Sequence, residues 1–299
     1  MNNGGLGTGR LFITDAQIHA WAPDSESHPW PQRGREYVRT APVASSAERP
    51  PFSAAELIRE MDRVGVDHAI LVPPVFAGDE NSTALAAAHK YPGRFAVMGR
   101  LGLDDPRSPE RLRGWREDSA MVGVRLTFFW KEHQRLLDEG RADWFWAQAE
   151  EMDIPVAVLS PGRLPTMGEI ARRHPGLRLI IDHFGMDLGL KDASAFTALE
   201  DLLPLARFPN VAVKASTLPS YVSDLYPFKS LHEPIRRVVD AFGPQRVFWG
   251  SETTRLPCPY EECVALFTRE LDFLSHDDLV WVMGRGIREW LGLDGVDWC

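Results

Sequence analysis

The sequence predicts an α/β protein built as a (β/α)8 barrel of the TIM type, with a long loop inserted after the first strand. Three observations lead there. Eight short β-type runs recur along the 299 residues, and helical patterns lie between most of them. After the first, the runs end at or within one residue of 73, 100, 127, 160, 183, 216 and 252, spaced 27, 27, 33, 23, 33 and 36 residues apart, which is the cadence of repeated strand–helix units. Several runs, such as Ala69-Ile-Leu-Val72, are apolar on both faces, as strands buried in a parallel sheet are. An open doubly wound sheet is the competing architecture, but no glycine-rich phosphate fingerprint follows the first strand.

The strands are expected at Phe12–His19, His68–Pro73, Phe95–Leu101, Val122–Phe128, Pro155–Ser160, Leu177–His183, Asn210–Thr217 and Arg246–Glu252. Period-3.6 patterns place helices at Ala54–Val64, Ser82–Tyr91, Pro109–Asp118, Ala142–Met152, Thr166–His174, Ala193–Ala206 and Pro234–Phe242. The first interval is anomalous, because 54 residues separate His19 from Pro73. Residues 21–52 are rich in Pro, Ser, Arg and Trp without periodicity, and are expected to form a lid-like insertion or a disordered one. The segment Thr217–Ser230 offers a second lid. Residues 1–10 read as a flexible lead, 11–299 as one barrel domain, and Trp281–Leu291 as a closing helix.

Composition narrows the function. A net charge of -9 argues against nucleic acid or an anionic membrane as partner, and 44% hydrophobic with 25% charged residues is ordinary for a soluble domain. No apolar run reaches the roughly 18 residues of a transmembrane span. The N-terminus lacks the apolar core of a secretion signal, and Cys258, Cys263 and Cys299 have no metal-type spacing. The expectation is a cytoplasmic protein with free thiols and a small-molecule substrate, with a homodimer left open.

In a barrel of this kind the reaction centre lies at the C-terminal ends of the strands. The first strand ends in Asp15, Gln17 and His19, and period-2 alternation puts these three on one face. His183 ends the run Leu179-Ile-Ile-Asp-His, and Glu252 ends Val247-Phe-Trp-Gly-Ser-Glu. With Arg125 and Lys214 they bring imidazoles, a carboxylate and cations to one mouth. Arg125 is suited to a substrate carboxylate, because a guanidinium fork matches that geometry, or to a structural pair with an acid such as Asp104. Lys214, mid-strand, is costly to bury without a partner. Trp21, Trp30 and Trp130 follow strand ends and are suited to line an apolar pocket, with Tyr221 and Arg255 beside the mouth. His28 is the one remaining histidine of interest. Ser160 and Ser216 lack the Gly-x-Ser-x-Gly elbow of a serine nucleophile.

Five motifs carry a resemblance: Thr14-Asp-Ala-Gln-Ile-His19, Tyr91-Pro-Gly-Arg-Phe95, Gly123-Val-Arg-Leu126, Asp182-His-Phe-Gly185 and Phe248-Trp-Gly-Ser-Glu252. In these the chain, from about residue 11 to 292, resembles the amidohydrolase superfamily, in the amidohydrolase-related branch of sugar lactonases, 2-pyrone-4,6-dicarboxylate lactonase and nonoxidative decarboxylases. The family pattern is His-x-His on the first strand and Asp after the last, whereas Gln17 and Glu252 stand here. The resemblance implies a metal set of Gln17, His19, His183 and Glu252, and a metal of iron, zinc or manganese. A Gln amide is a weaker ligand than imidazole, so a metal-free site is the alternative.

The expected activity is metal-assisted attack of water on an acyl carbon of a lactone, ester or thioester. Without metal, Glu252 is the base, and His19, His183 and Lys214 stabilise the oxyanion. The rivals are a nonoxidative decarboxylase on the same scaffold and a non-catalytic ligand-binding barrel.

Overall fold

Eight parallel strands pair in chain order: β1 (Thr14–Ile18), β2 (His68–Leu71), β3 (Phe95–Arg100), β4 (Met121–Thr127), β5 (Val156–Leu159), β6 (Leu179–Ile181), β7 (Val211–Ser216) and β8 (Val247–Gly250). Helices connect successive strands, as parallel pairing requires. This is a (β/α)8 barrel. The computed structural model describes residues 10–40, 53–253 and 255–293. The expected lead at 1–9, the 41–52 part of the insertion and Cys299 lie outside the described residues.

Two apolar layers hold the barrel. An inner cluster of Ala16, Ile70, Ala96, Val122, Ile180 and Phe248 fills the lumen and packs on Ile287 and Leu291 of the closing helix. Larger residues facing outward, such as Leu71, Val97, Val213 and Trp249, bury against the helices. Two residues beyond Ile180 and Ala212 on the same inner face stand Asp182 and Lys214, and Arg100 follows Met98 in the same way. Alternation thus carries the lumen from an apolar floor to a polar mouth.

The seam between β8 and β1 departs from the expected alternation. The register slips between Asp15 and Ile18, so Ala16 belongs to the inner cluster while Asp15 leaves the face of Gln17 and His19. Asp15 closes the seam. Its carboxylate accepts from the backbone N–H of Gln17 at 3.0 Å and of Ser251 at 2.9 Å, from the Ser251 hydroxyl, and from the Tyr260 hydroxyl at 2.7 Å. Beside it the Glu252 N–H donates to the Gln17 carbonyl at 2.7 Å. A Cβ on Gly250 would stand 2.9 Å from the Gln17 nitrogen, so this close approach requires glycine.

Most helices lie where the periodicity predicts them, and Ala54–Val64 coincides with its helix. Ser53 and Glu56 form a capping box that starts it, and Gly65 in the left-handed region ends it. The stretch expected as one helix over Ala193–Ala206 breaks into Ala193–Phe196, Leu199–Leu202 and Leu203–Arg207, where Pro204 removes a backbone donor. Pro234 lies inside the helix Lys229–Phe242 instead of starting it. Among the described residues no helix is long and apolar enough to cross a membrane.

The insertion after β1 contains a helix that its polar sequence hides, α1 (Gln32–Thr40). It is laid over the strand ends. A Cβ on Gly34 would lie 1.9 Å from the Phe76 carbonyl oxygen, so the backbone of α1 rests directly on the turn after β2. At the other side Tyr37 packs on Phe129 and Trp130, with ring centroids 5.7 and 6.0 Å away. One polar latch holds α1 to the loop after β4. The His133 Nδ1–H donates to the Thr127 carbonyl at 2.9 Å, which leaves Nε2 to accept from Arg33 Nη1 at 3.3 Å. Burial lowers the His133 pKa against the hydrogen bond to the Thr127 carbonyl, and the charges of Arg33 and Arg100 lower it further against that of Asp104. The latch therefore contributes at pH above the ordinary histidine value and is lost as pH falls through the lowered one. Hydrogen exchange of residues 33–39, corrected for intrinsic rates, should speed up between about pH 7 and about pH 5, and Arg33→Ala should remove that dependence. Equal protection at both values would rule the latch out.

Candidate active site

Six strand ends supply the polar groups of the mouth. His19 follows β1, and its Nδ1–H donates to the Val72 carbonyl at 2.5 Å, which turns Nε2 toward the lumen. His183 follows β6 and is held through Nδ1 by the Ser216 hydroxyl at 2.8 Å. Glu252 follows β8 and spans the two rings: Oε2 lies 2.9 Å from His183 Nε2, and Oε1 lies 3.5 Å from His19 Nε2. Arg255 Nη1 approaches Oε1 at 3.9 Å. The carboxylate is 4% exposed. Burial opposes its ionisation, yet the adjacent His183 and His19 hold its pKa well below the ordinary range. It is an anion at neutral pH.

His183 and Glu252 share a backbone peculiarity, with φ of 52° and 51°. Left-handed backbone at a residue with a Cβ costs on the order of 1 kcal/mol, and such strain collects at functional sites. Here it turns each side chain off its strand end toward the other.

Beneath this trio runs a chain of charges. Lys214, with no exposed surface, donates to Gln17 Oε1 at 2.8 Å and lies 3.2 Å from Asp182 Oδ1. Asp182 Oδ2 accepts from Arg125 Nε at 2.8 Å, and Arg125 Nη1 donates to the Thr127 hydroxyl at 2.7 Å. The same hydroxyl accepts from Arg100 Nη1 at 3.1 Å. Against the cost of burial, Lys214 and Arg125 pull Asp182 down to about 2. Burial draws the Lys214 ammonium below its usual value, opposed by Asp182. Arg125 is thus paired inside the protein, with Asp182 in place of Asp104.

The residues singled out by sequence separate into two groups. His19, His183, Glu252, Lys214, Gln17, Arg125 and Arg255 gather at the mouth. Tyr221, fully buried, lies within electrostatic reach of Arg255 and Glu252, and burial pushes its phenol up. Trp21 stands apart: it packs edge-on against Phe76 and lines a separate cavity of about 110 Å³ with His28 and Trp30. Sequence reasoning missed Arg100, Thr127 and Tyr37. The first two obey the strand alternation and could have been found from it, whereas Tyr37 rides on the helix hidden in the insertion. Tyr37 lies within reach of the charges of Arg255, Glu252 and Arg125. Between α1 and the ends of β3 and β4 a cavity of about 340 Å³ opens, lined by Arg33, Gly34, Arg100, Arg125, Thr127 and Trp130.

The amidohydrolase family model matches residues 14–293. The chain belongs to the amidohydrolase family. Among similar proteins, this amidohydrolase is 26% identical over 253 residues to an L-fucono-1,5-lactonase of Burkholderia ambifaria, covering 81% of this chain and 80% of that one. It is 28% identical over 285 residues to an L-fucono-1,5-lactonase of Burkholderia multivorans, covering 85% and 87%. A Burkholderia multivorans amidohydrolase solved with zinc bound shares the fold at a TM-score of 0.79 and 22% identity, over 94% of this chain and 99% of that one.

The donor set tests whether this amidohydrolase fits such an ion. Gln17 Oε1 is taken by the Lys214 ammonium, which puts a cation against the atom a metal would need. Glu252 is engaged by both imidazoles. Among the described residues no three His, Cys, Asp or Glu side chains are disposed to hold an ion. As arranged, the residues do not fit a divalent metal.

Asp182→Asn would leave Lys214 and Arg125 buried with their shared counter-charge removed. Unfolding in urea should show a loss of about 3–5 kcal/mol at unchanged m-value. A loss below about 1 kcal/mol would mean the pair is solvated.

Proposed function

We propose that this amidohydrolase opens the ring ester of small lactones, with Glu252 as general base. The observation that carries the reading is the Glu252 carboxylate, ionised and buried between the Nε2 atoms of two histidines at the mouth of the barrel. The relatives named as L-fucono-1,5-lactonases, aligned over more than four-fifths of the chain, point the substrate toward sugar-derived lactones.

The chemistry follows from the charges present. Oε1 is the looser oxygen, 3.5 Å from His19 and 3.9 Å from Arg255, and so is the one free to take a proton from water. The hydroxyl oxygen bonds to the lactone carbonyl carbon, and the proton moves to Glu252. Negative charge collects on the former carbonyl oxygen, where the His183 ring N–H and the Lys214 ammonium stabilise it. The ring C–O bond then breaks, and Glu252 returns its proton to the leaving alkoxide. The product is a hydroxy acid, which releases one proton at neutral pH. In this scheme the buried lysine supplies the positive charge that a metal ion would otherwise bring, and no step requires one.

A pH-indicator assay with five- and six-membered sugar lactones tests the reading. The wild type should release acid and no carbon dioxide. Glu252→Gln should lower kcat by roughly 10²–10⁴-fold with its circular dichroism unchanged. Unaltered turnover in Glu252→Gln, or release of carbon dioxide from carboxylic acids by the wild type, would overturn it.

A further inference from the structure

The two rings that flank Glu252 are held from behind by different chemistry. His19 Nδ1 faces the Val72 carbonyl, a group that can only accept, so in the neutral ring the hydrogen sits on Nδ1 and Nε2 is bare. His183 Nδ1 faces the Ser216 hydroxyl, which can donate or accept. Two neighbours remove that ambiguity. On the far side of the ring, Nε2 lies 2.9 Å from Glu252 Oε2, an oxygen of an ionised carboxylate, so Nε2 carries a hydrogen. Ser216 closes β7 with no exposed surface, and its hydroxyl makes no other hydrogen bond among the described residues. Its hydrogen either goes to His183 Nδ1 or is stranded in the interior at the cost of a lost bond.

The same logic bears on the space between His19 and Glu252. A bare Nε2 and a carboxylate oxygen are both acceptors, and they face each other at 3.5 Å, against 2.9 Å on the His183 side. The longer separation is what two acceptors keep when no hydrogen lies between them. A molecule that donates twice can seat on both, and water is that molecule.

The geometry points to a division of labour between the two rings, with Ser216 as the positioning residue that sets it. The Ser216 hydroxyl donates to His183 Nδ1 and so keeps His183 a donor at Nε2, while the Val72 carbonyl keeps His19 an acceptor. His19 Nε2 and Glu252 Oε1 then hold the attacking water by its two hydrogens, which leaves an oxygen lone pair for the lactone carbonyl carbon. The inference rests on the lactonase reading with Glu252 as base, and assigns the rings within it. As the water oxygen bonds to carbon, one proton passes to Glu252 Oε1, and the other stays on that oxygen, hydrogen-bonded to His19. Protonation removes the charge of the carboxylate, so Oε2 loosens its hold on the His183 N–H, which turns to the new oxyanion. Stabilisation thus strengthens in the transition state, where it raises kcat. The expectation that His19 is an oxyanion donor gives way to His19 as a water acceptor. A neutral ring whose Nδ1–H is committed to a backbone carbonyl has no second hydrogen to give.

Two measurements test this arrangement. The first reads the tautomers and needs no turnover: the nitrogen chemical shifts of the histidine rings in the full chain, prepared with isotope-labelled histidine. Signals are assigned by their loss in His19→Gln and His183→Gln. His183 should carry hydrogen on Nε2 alone and His19 on Nδ1 alone, and Ser216→Ala should shift the His183 Nδ1 signal while leaving those of His19 in place. The second is kinetic. Ser216→Ala should lower kcat for a lactone on the order of 10-fold, with KM changed by less than about twofold. Should Ser216→Ala fail to fold, the wild-type spectrum decides alone. Rings that share one form or hold the reverse ones, or a Ser216→Ala enzyme with unchanged kcat, would overturn the division of labour and leave the lactonase reading intact. Opposite tautomers that depend on Ser216, in a protein that hydrolyses no lactone, would uphold the setting of the rings and sink the lactonase reading instead.

Discussion

A lysine ammonium with no access to solvent governs the throat of this barrel. Left alone, such a charge would cost several kcal/mol or surrender its proton. Lys214 keeps company with Asp182 on one side and the Gln17 oxygen on the other, and the rest of the mouth is arranged around that bond. Asp182 in turn orients Arg125, Arg125 shares Thr127 with Arg100, and Gln17 lends its backbone carbonyl to the N–H of Glu252. Position 17 and position 214 are therefore one decision. A neutral imidazole at 17 would replace the amide oxygen that now accepts from Lys214 with a single ring nitrogen.

The strands deliver these groups at a local cost in backbone strain. His183 and Glu252 both sit in the left-handed region, and their side chains meet at 2.9 Å as a result. The seam between β8 and β1 has to be firm for that contact to hold, and Asp15 makes it so by standing in for a backbone acceptor toward Ser251 and tying Tyr260 to the same carboxylate. Burial raises the Asp15 pKa, opposed by those hydrogen bonds, so the seam is held by a carboxyl whose charge is itself under strain. Glu252 is the residue after the one that Asp15 clamps.

How much of this was legible beforehand differs by level. The eight strands could be read because each is a short apolar run whose boundaries are marked by polar residues. The inner face could be read for Lys214 and Glu252, where alternation is regular. It misled at Asp15, because a register slip in β1 is a property of the pairing with β2 and leaves no mark in the order of residues. Arg125 illustrates a second limit: a guanidinium suits a substrate carboxylate or a protein one equally, and only the packing reveals that Asp182, 57 positions away, claims it. Arg100 was passed over although it obeys the same alternation as its neighbours, since an arginine closing a strand looks like an ordinary surface end. Helix α1 was hidden because its apolar contacts are few and its stability comes from lying against Phe76, Phe129 and Trp130.

Charge at the reacting carbonyl comes either from Lys214 or from a bound ion. Elemental analysis of protein that is turning over a lactone, before and after dialysis against a chelator, decides it directly. The predicted result is well under one transition metal per chain, roughly a tenth or less, with turnover unchanged by the chelator and by added zinc. About one metal per chain, with activity that disappears on chelation and returns with the ion, would contradict the account.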